Sequence, residues 1–194
     1  MPRLGMEPIR REALVEATIE EIGRHGSLDV TVGQIARRAG VSPALAHHYF
    51  GGKSQIFLAA MRRILTVFGA GVRRALKRAD GPEDRVRAII RACFEPENFR
   101  PDVVAAWLNF YVLAQTDPEA RRLLTVYHRR LHSNLVCALR PILGRRCADA
   151  AEEIAAMIDG VYLRQALKDT RIGAEEAMRL VNAQLDRLLK EHRR

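Results

Sequence analysis

Thr31-Val-Gly-Gln-Ile-Ala-Arg-Arg-Ala-Gly-Val-Ser-Pro-Ala-Leu-Ala-His-His-Tyr-Phe50 is the stretch on which the reading of this chain turns. It encodes two short helices meeting at a sharp corner. Thr31 supplies an N-cap oxygen, and Ile35, Ala36 and Ala39 recur on one face at helical spacing. Gly40 ends the first helix, where a residue of positive φ is wanted. Val41 is placed to plug the angle between the helices. Ser42-Pro43 then restarts the chain with a second N-cap and a proline whose φ is already helical. Leu45, Tyr49 and Phe50 are expected to anchor the second helix to the rest of the domain. Cap, glycine turn, Ser-Pro restart and aromatic stop fall in register, which an ordinary helical hairpin does not require. The pattern is a helix-turn-helix, whose second helix enters the major groove with its N-terminal residues toward the bases.

Outward from this motif the chain reads as helix throughout, an all-α fold. Arg10–Arg24 is a first amphipathic helix, with Leu14, Ala17, Thr18 and Ile22 inward and His25-Gly26 closing it. Ser54 to about Lys77 is a long helix with Ile56, Phe57, Ala60, Ile64, Val67 and Phe68 on its apolar side. Asp80-Gly-Pro82 breaks the pattern, and a helix from Pro82 to Phe94 follows. After a second break over residues 95–101, helices are expected at Asp102–Gln115 and from Pro118 to about Leu139. Arg140–Gly144 is a further break. The last two helices are expected at Ala148–Lys168 and Ala174–Glu191, separated by Thr170-Arg-Ile-Gly173. That makes nine helices, three in a DNA-binding domain of residues 1–54 and six in a second domain of residues 55–194.

The formal charge of +9 suits a nucleic-acid binder, yet its placement tempers the argument. Residues 1–53 carry seven Lys/Arg against six Asp/Glu, whereas residues 54–93 carry nine against three. The positive field therefore comes mostly from the helix behind the reading head. Charges interrupt every apolar run short of the ~18 residues of a membrane helix, and the N-terminus lacks the apolar core of a signal peptide. A cytoplasmic protein without a membrane segment is expected. Cys93, Cys137 and Cys147 lack metal spacing and are expected to sit reduced in helices as small hydrophobes. No nucleophile elbow or phosphate loop is present, and His128 with His132 makes an HxxxH pair with no third ligand in view. Neither an enzyme nor a cofactor or metal site is expected.

Within the motif, Ser42, Pro43, Ala44 and His47 are positioned toward the groove, with Thr31, Gln34 and Arg37 of the preceding helix nearby. Ser and His bond base edges or phosphates, while Pro43 and Ala44 suit a thymine methyl. Tyr49 combines packing with a phosphate contact, and Lys53 sits where an ammonium and helix N–H groups grip one phosphate. His48 is read equally well as a contact or as structural.

A second candidate site rests on aromatics. The chain has only eleven Phe, Tyr and Trp residues, yet Phe94, Phe99, Trp107, Phe110 and Tyr111 crowd into eighteen positions. Trp107, Phe110 and Tyr111 share a helix face at i, i+3, i+4. On its own such a cluster is more often core than cage. Asp159 and Tyr162 sit mid-helix at i, i+3, an odd place for a carboxylate in an apolar stretch unless it partners an arginine or completes a site. The small residues Ala148, Ala151, Ala155 and Gly160, with Ile154, Ile158, Val161 and Leu185, either close the core of one chain or form the seam of a dimer. A two-fold dimer is favoured, because one helix-turn-helix makes too few base contacts and two match a palindromic site.

Gln34-Ile-Ala36, Ala39-Gly-Val-Ser42, His48-Tyr-Phe50 and Lys53 resemble the DNA-binding domain of the TetR family of bacterial repressors, over roughly residues 9–55. The remainder resembles the choline-responsive branch of that family, which represses glycine-betaine synthesis genes. The matching pieces are Gly5-Met-Glu-Pro-Ile-Arg-Arg11, Ala106-Trp-Leu-Asn-Phe-Tyr111, Arg129-Arg-Leu-His-Ser-Asn-Leu135 and Ile158-Asp-Gly-Val-Tyr-Leu-Arg164. The resemblance implies a homodimeric repressor on a palindromic operator, released by choline or a related quaternary ammonium. It turns the aromatic cluster from core toward cage, with Phe94, Trp107, Phe110, Tyr111, Asp159 and Tyr162 around the cation, which aromatic faces attract. Ala44 and His47 stand where the family usually carries glycine and often tyrosine, and Tyr111 and Tyr162 where relatives carry tryptophan. A repressor sensing another lipophilic cation or an acyl molecule is the alternative.

Overall fold

Prolines and small polar caps set where most of the helices begin. Pro43, Pro82, Pro96, Pro101 and Pro118 each occupy the first turn of a helix, where the missing N–H would have no intrahelical partner. The computed structural model describes residues 5–167 and 172–192. Among them every regular element is helical: α1 (Met6–His25), α2 (Val32–Arg38), α3 (Pro43–Phe50), α4 (Lys53–Arg78), α5 (Gly81–Cys93), α6 (Pro96–Phe99), α7 (Pro101–Thr116), α8 (Pro118–Leu143), α9 (Cys147–Ala166) and α10 (Ala174–His192). Nine of these match the expected helices. The tenth, α6, is a single turn inside the expected break at 95–101.

Three boundaries differ from the sequence reading. α1 starts at Met6 rather than Arg10, since Pro8 falls in its first turn and Glu7 pairs with Arg11 one turn on at 2.8 Å. α8 continues past Arg140 and through Pro141 to Leu143. Proline there removes only one hydrogen bond from the last turn, and the helix stops where Gly144 takes φ +54°. Lys168, Thr170 and Arg171, expected at the end of α9 and in the break after it, lie outside the described residues.

One continuous apolar core joins head and body. α4 is the one described helix long and apolar enough to cross a membrane, and its apolar side is buried against α1, α5 and α8. α7 crosses α1 so closely that a Cβ on Gly23 would stand 2.4 Å from the Asp102 Cβ and 2.6 Å from its Cα. Only glycine permits that approach. The same crossing carries Arg100 donating to Glu16 at 2.7 Å and Asn109 Nδ2 donating to the Gly26 carbonyl at 3.2 Å.

The residues expected at a dimer seam need correction. Ile154, Ile158 and Leu185 are 0% exposed and Val161 5% exposed within a single chain. They fill the protomer's own core, where α9 packs on α7, α8 and α10. Branched residues at helical spacing mark a buried face without saying whether the chain itself covers it. The outward side of α9 carries Leu163 and Leu167 instead, 47% and 61% exposed. Cys93 and Cys147 are buried as expected, whereas Cys137 is exposed.

Candidate functional site

The corner between α2 and α3 is built from bonds between residues three to five apart. Thr31 Oγ1 accepts from the Gln34 N–H at 3.2 Å, and Gln34 Oε1 accepts from the Thr31 N–H at 2.7 Å, a reciprocal capping box. At the other end the Val41 N–H bonds the Ala36 carbonyl at 3.0 Å and the Gly40 N–H the Arg37 carbonyl at 3.2 Å. Gly40 sits at φ +66°, so the pair closes a Schellman turn. Ser42 Oγ then accepts from the Leu45 N–H at 3.2 Å and starts α3. Ala46, not Leu45, is the wholly buried residue of α3; Leu45 is half-buried. Tyr49 and Phe50 do anchor the helix, and the Arg11 guanidinium lies 5.2 and 5.3 Å from their ring centres.

A buried carboxylate locks α2 onto α1. Glu21 receives Arg38 Nε, Arg24 at 3.1 Å and, at 3.4 Å, His25. Burial alone would push the Glu21 carboxyl up, but the Arg38 and Arg24 hydrogen bonds outweigh it and hold the group below its usual range. Arg38 also reaches Glu20 at 3.0 Å. Arg37 and Arg38 are both exposed, but with Arg38 so committed it is Arg37 that has no ion pair among the described residues.

Pro43, Ala44, His47 and His48 are exposed at i, i+1, i+4 and i+5, hence on one face of α3, with Ser42 exposed at its tip. Thr31 and Lys53 are also exposed, the Lys53 ammonium 5.5 Å from the Phe57 ring centre. Tyr49 and Gln34 are half-buried. The Gln34 carbonyl oxygen is committed to the capping box, so only its NH₂ is left for a base or phosphate. Of the expected set, Pro43, Ala44, His47 and His48 thus share one exposed face.

The aromatic set is one continuous cluster. Trp107 of α7 touches Tyr127 of α8 at 4.6 Å between ring centres, Tyr111 at 5.9 Å, Phe110 at 6.1 Å and Tyr162 at 6.5 Å. The Tyr111 hydroxyl donates to Asp159 Oδ1 at 3.0 Å, and His128 Nε2 lies 3.7 Å from Asp159 Oδ2. The His128 ring stacks near Tyr111 at 6.2 Å. Burial pushes the Asp159 carboxyl above its ordinary value, while the Tyr111 hydroxyl and His128 pull it back. Burial, and then the Asp159 charge, push the Tyr111 phenol up, so it remains a donor. Tyr162 in turn forms a triad with Phe94 and Phe99 at 5.2–5.9 Å. Tyr162 donates to the Cys93 carbonyl and lies 3.3 Å from the Asn98 carbonyl, while Asn98 Nδ2 donates to the Ala92 carbonyl at 2.8 Å. The two side chains cap the open carbonyls at the end of α5.

Residues 14–60 match the family model of bacterial regulatory proteins of the tetR family, and residues 82–190 match that of the BetI-type transcriptional repressor C-terminal domain. The chain is 52% identical over 182 residues to the HTH-type transcriptional regulator BetI of Brucella anthropi, covering 93% of this chain and 94% of that protein. It is 48% identical over 195 residues to the BetI of Agrobacterium fabrum, covering 98% and 93%. The chain belongs to the BetI-type repressors of the TetR family. It is a DNA-binding transcriptional regulator and not an enzyme. Among solved structures, a transcriptional regulator of Saccharomonospora viridis in complex with choline superposes with a TM-score of 0.84 at 19% identity, covering 93% of this chain and 97% of that one.

Of the six residues expected around a ligand in this repressor, Trp107, Tyr111 and Asp159 meet at one half-buried corner. Phe110 and Phe94, each 1% exposed, are core, while Tyr162 caps α5 with its ring 6.5 Å from Trp107. The sequence reading missed Tyr127 and His128. Tyr127, Leu131, Leu135 and Ala138 recur at buried helical spacing, which marks Tyr127 as inward. Nothing in that spacing says that its neighbour across the core is Trp107. Among the described residues no three His, Cys, Asp or Glu side chains gather to hold a metal ion.

Proposed function

We propose that this protein is a homodimeric repressor of choline and glycine-betaine pathway genes, released from a palindromic operator by choline. The observation that carries the reading is a carboxylate, Asp159, half-buried against aromatic side chains and, among the described residues, bonded by no arginine or lysine. A quaternary ammonium offers no hydrogen-bond donor and is easily desolvated, so it suits aromatic faces beside one negative charge. The solved relative bound to choline supports the ligand class. The rings of the corner touch at 4.6–6.2 Å, so a cation enters when Tyr111 or His128, the outer pair, turns aside.

The route to DNA runs through α7. Trp107 and Tyr111 share this helix with Asp102, pressed on Gly23, and Asn109, bonded to Gly26. A shift of α7 therefore moves α1 and the α2–α3 corner locked to it through Glu21. Release by this path needs the ligand to favour the DNA-incompetent spacing of the two heads by about 1–3 kcal/mol. The outward side of α9, with Ala156, Leu163 and Leu167, is the face we assign to the partner subunit.

The test is a DNA-mobility assay on the gene's own upstream region with and without choline, alongside Trp107 fluorescence. Choline should release DNA and change emission saturably. Tetramethylammonium should mimic it in part and ethanolamine should not. A flat response to choline with a response to bulkier cations would replace choline by another lipophilic cation as the effector.

A further inference from the structure

A groove separate from the Asp159 corner runs between α4 and α8, with a volume of about 330 Å³. That is the lower end of the size of small-molecule sites, roughly 300–1,000 Å³. Its floor is apolar: Phe68, Val72 and Tyr127 are buried, Leu65 and Leu76 half-buried, and Val126 is exposed at the edge. Its rim is cationic, with Arg73 from α4 and Arg130 from α8. On the same α4, Arg62, Arg63 and Arg74 each hold a carboxylate, from Glu119, Glu12 and Glu95. Arg73 and Arg130 hold none among the described residues. Gly69 leaves the wall bare, and an Arg73 guanidinium nitrogen lies 3.4 Å from where a Gly69 Cβ would stand. The groove thus combines an apolar trough with two forked donors lacking an anion.

We propose that this groove binds a single-chain amphipathic carboxylate, its chain along Phe68, Val72 and Val126 and its head between Arg73 and Arg130. A guanidinium fork matches a carboxylate in shape as well as charge, and two forks reject a cationic head of the same length. The occupant differs in charge from a quaternary ammonium, and the inference does not rest on the choline reading. Tyr127 joins the two sites: its ring lines the groove and stands 4.6 Å from Trp107. The sole tryptophan therefore reports on the groove too.

The experiment titrates the full-length protein with decanoate, decanol and decyltrimethylammonium, followed by Trp107 emission and by calorimetry. Decanoate should bind saturably, decanol at least tenfold more weakly, and decyltrimethylammonium not at the groove. The double variant Arg73→Gln/Arg130→Gln should weaken decanoate at least tenfold. Gly69→Leu should fill the trough and abolish binding, since among the described residues its new Cβ meets, beyond its own helix backbone, the movable end of Arg73. Both variants should keep the emission response of the wild type to tetramethylammonium, whatever that response is. The proposal is overturned if decanol binds as tightly as decanoate, if neither variant weakens decanoate, or if tetramethylammonium displaces decanoate competitively.

Discussion

The reading head and the proposed ligand corner of this repressor are made by different chemistry. The turn between α2 and α3 is closed by bonds spanning three to five residues, from Thr31–Gln34 to Ala36–Val41. The corner at Asp159 is closed by contacts between residues far apart in the chain, such as Tyr111 with Asp159 48 positions on and His128 of α8 with the same carboxylate on α9. Local bonds make the head a preformed module that presents side chains. Long-range packing makes the corner depend on how three long helices lie against one another. A ligand that moves one of those helices changes the corner, and through the α1–α7 crossing it reaches a head whose own turn stays intact.

The sharpest way to break this contrast is to disturb the packing and see what survives. Ile158→Asp puts a charge at a site 0% exposed in one chain and should cost at least about 3 kcal/mol, leaving a chain that fails to fold. Leu163→Asp, on a side chain 47% exposed, should keep the fold and weaken the dimer. Thermal unfolding with sedimentation tells the two apart. A well-folded monomer from Ile158→Asp would return that residue to the subunit interface.

How much was legible in the sequence follows from the same contrast. Thr31, Gly40, Ser42 and Pro43 could be assigned capping and turn roles because each acts on neighbours a few residues away, and those capping and turn roles hold. Helix positions were equally legible, since proline and the apolar period are local signals. Pro141 misled because proline's effect depends on how near it lies to a helix end. Ile154 and Ile158 misled because a buried stripe looks the same whether its cover is the same chain or another. The partners Tyr127 and His128 were not legible at all: nothing near them in sequence names α7. The Glu21–Arg38 lock was equally hidden, seventeen residues apart and looking like two ordinary surface charges.

The crossing of α1 and α7 is the next test, and a smaller effect is expected. Gly23→Ala forces a methyl into the Asp102 backbone and should destabilise by about 1–3 kcal/mol. Operator affinity without ligand should fall less than the response to choline, because the turn of the head is untouched while its link to α7 is loosened. Mobility shifts with and without choline measure both. A variant whose choline response equals the wild type would move the coupling to α4.

Smaller still are the caps. Thr31→Ala and Ser42→Ala each remove a side-chain acceptor from a helix start and should cost about 1 kcal/mol. In a chain of this length that is a fall in melting temperature of about 2–4 °C. Operator binding should weaken in both, while Trp107 emission and its response to choline stay unchanged. A change in the Trp107 response would show that head and corner are not separable.

The smallest effect on stability, and the one of opposite sign, is expected at Asp159. Burial holds its carboxyl above the ordinary value, so the folded chain binds that proton more tightly than the unfolded chain does. Ionisation therefore opposes folding. The penalty is absent below the ordinary carboxylate range, grows as pH rises from there toward the folded value, and is complete above it. Asp159→Asn removes the charge and keeps an oxygen to accept from the Tyr111 hydroxyl. The variant should be slightly more stable than the wild type at pH 7, and the gap should close as pH is lowered toward about 4. Thermal unfolding across that range measures it. Choline binding, followed at Trp107, should be lost in the same variant, since the aromatic faces remain but the compensating charge is gone. A residue that weakens the fold while serving the ligand is what a site, rather than a core, predicts. If Asp159→Asn instead lowers stability at pH 7 and leaves the choline titration unaltered, the carboxylate is a structural partner of Tyr111 and His128.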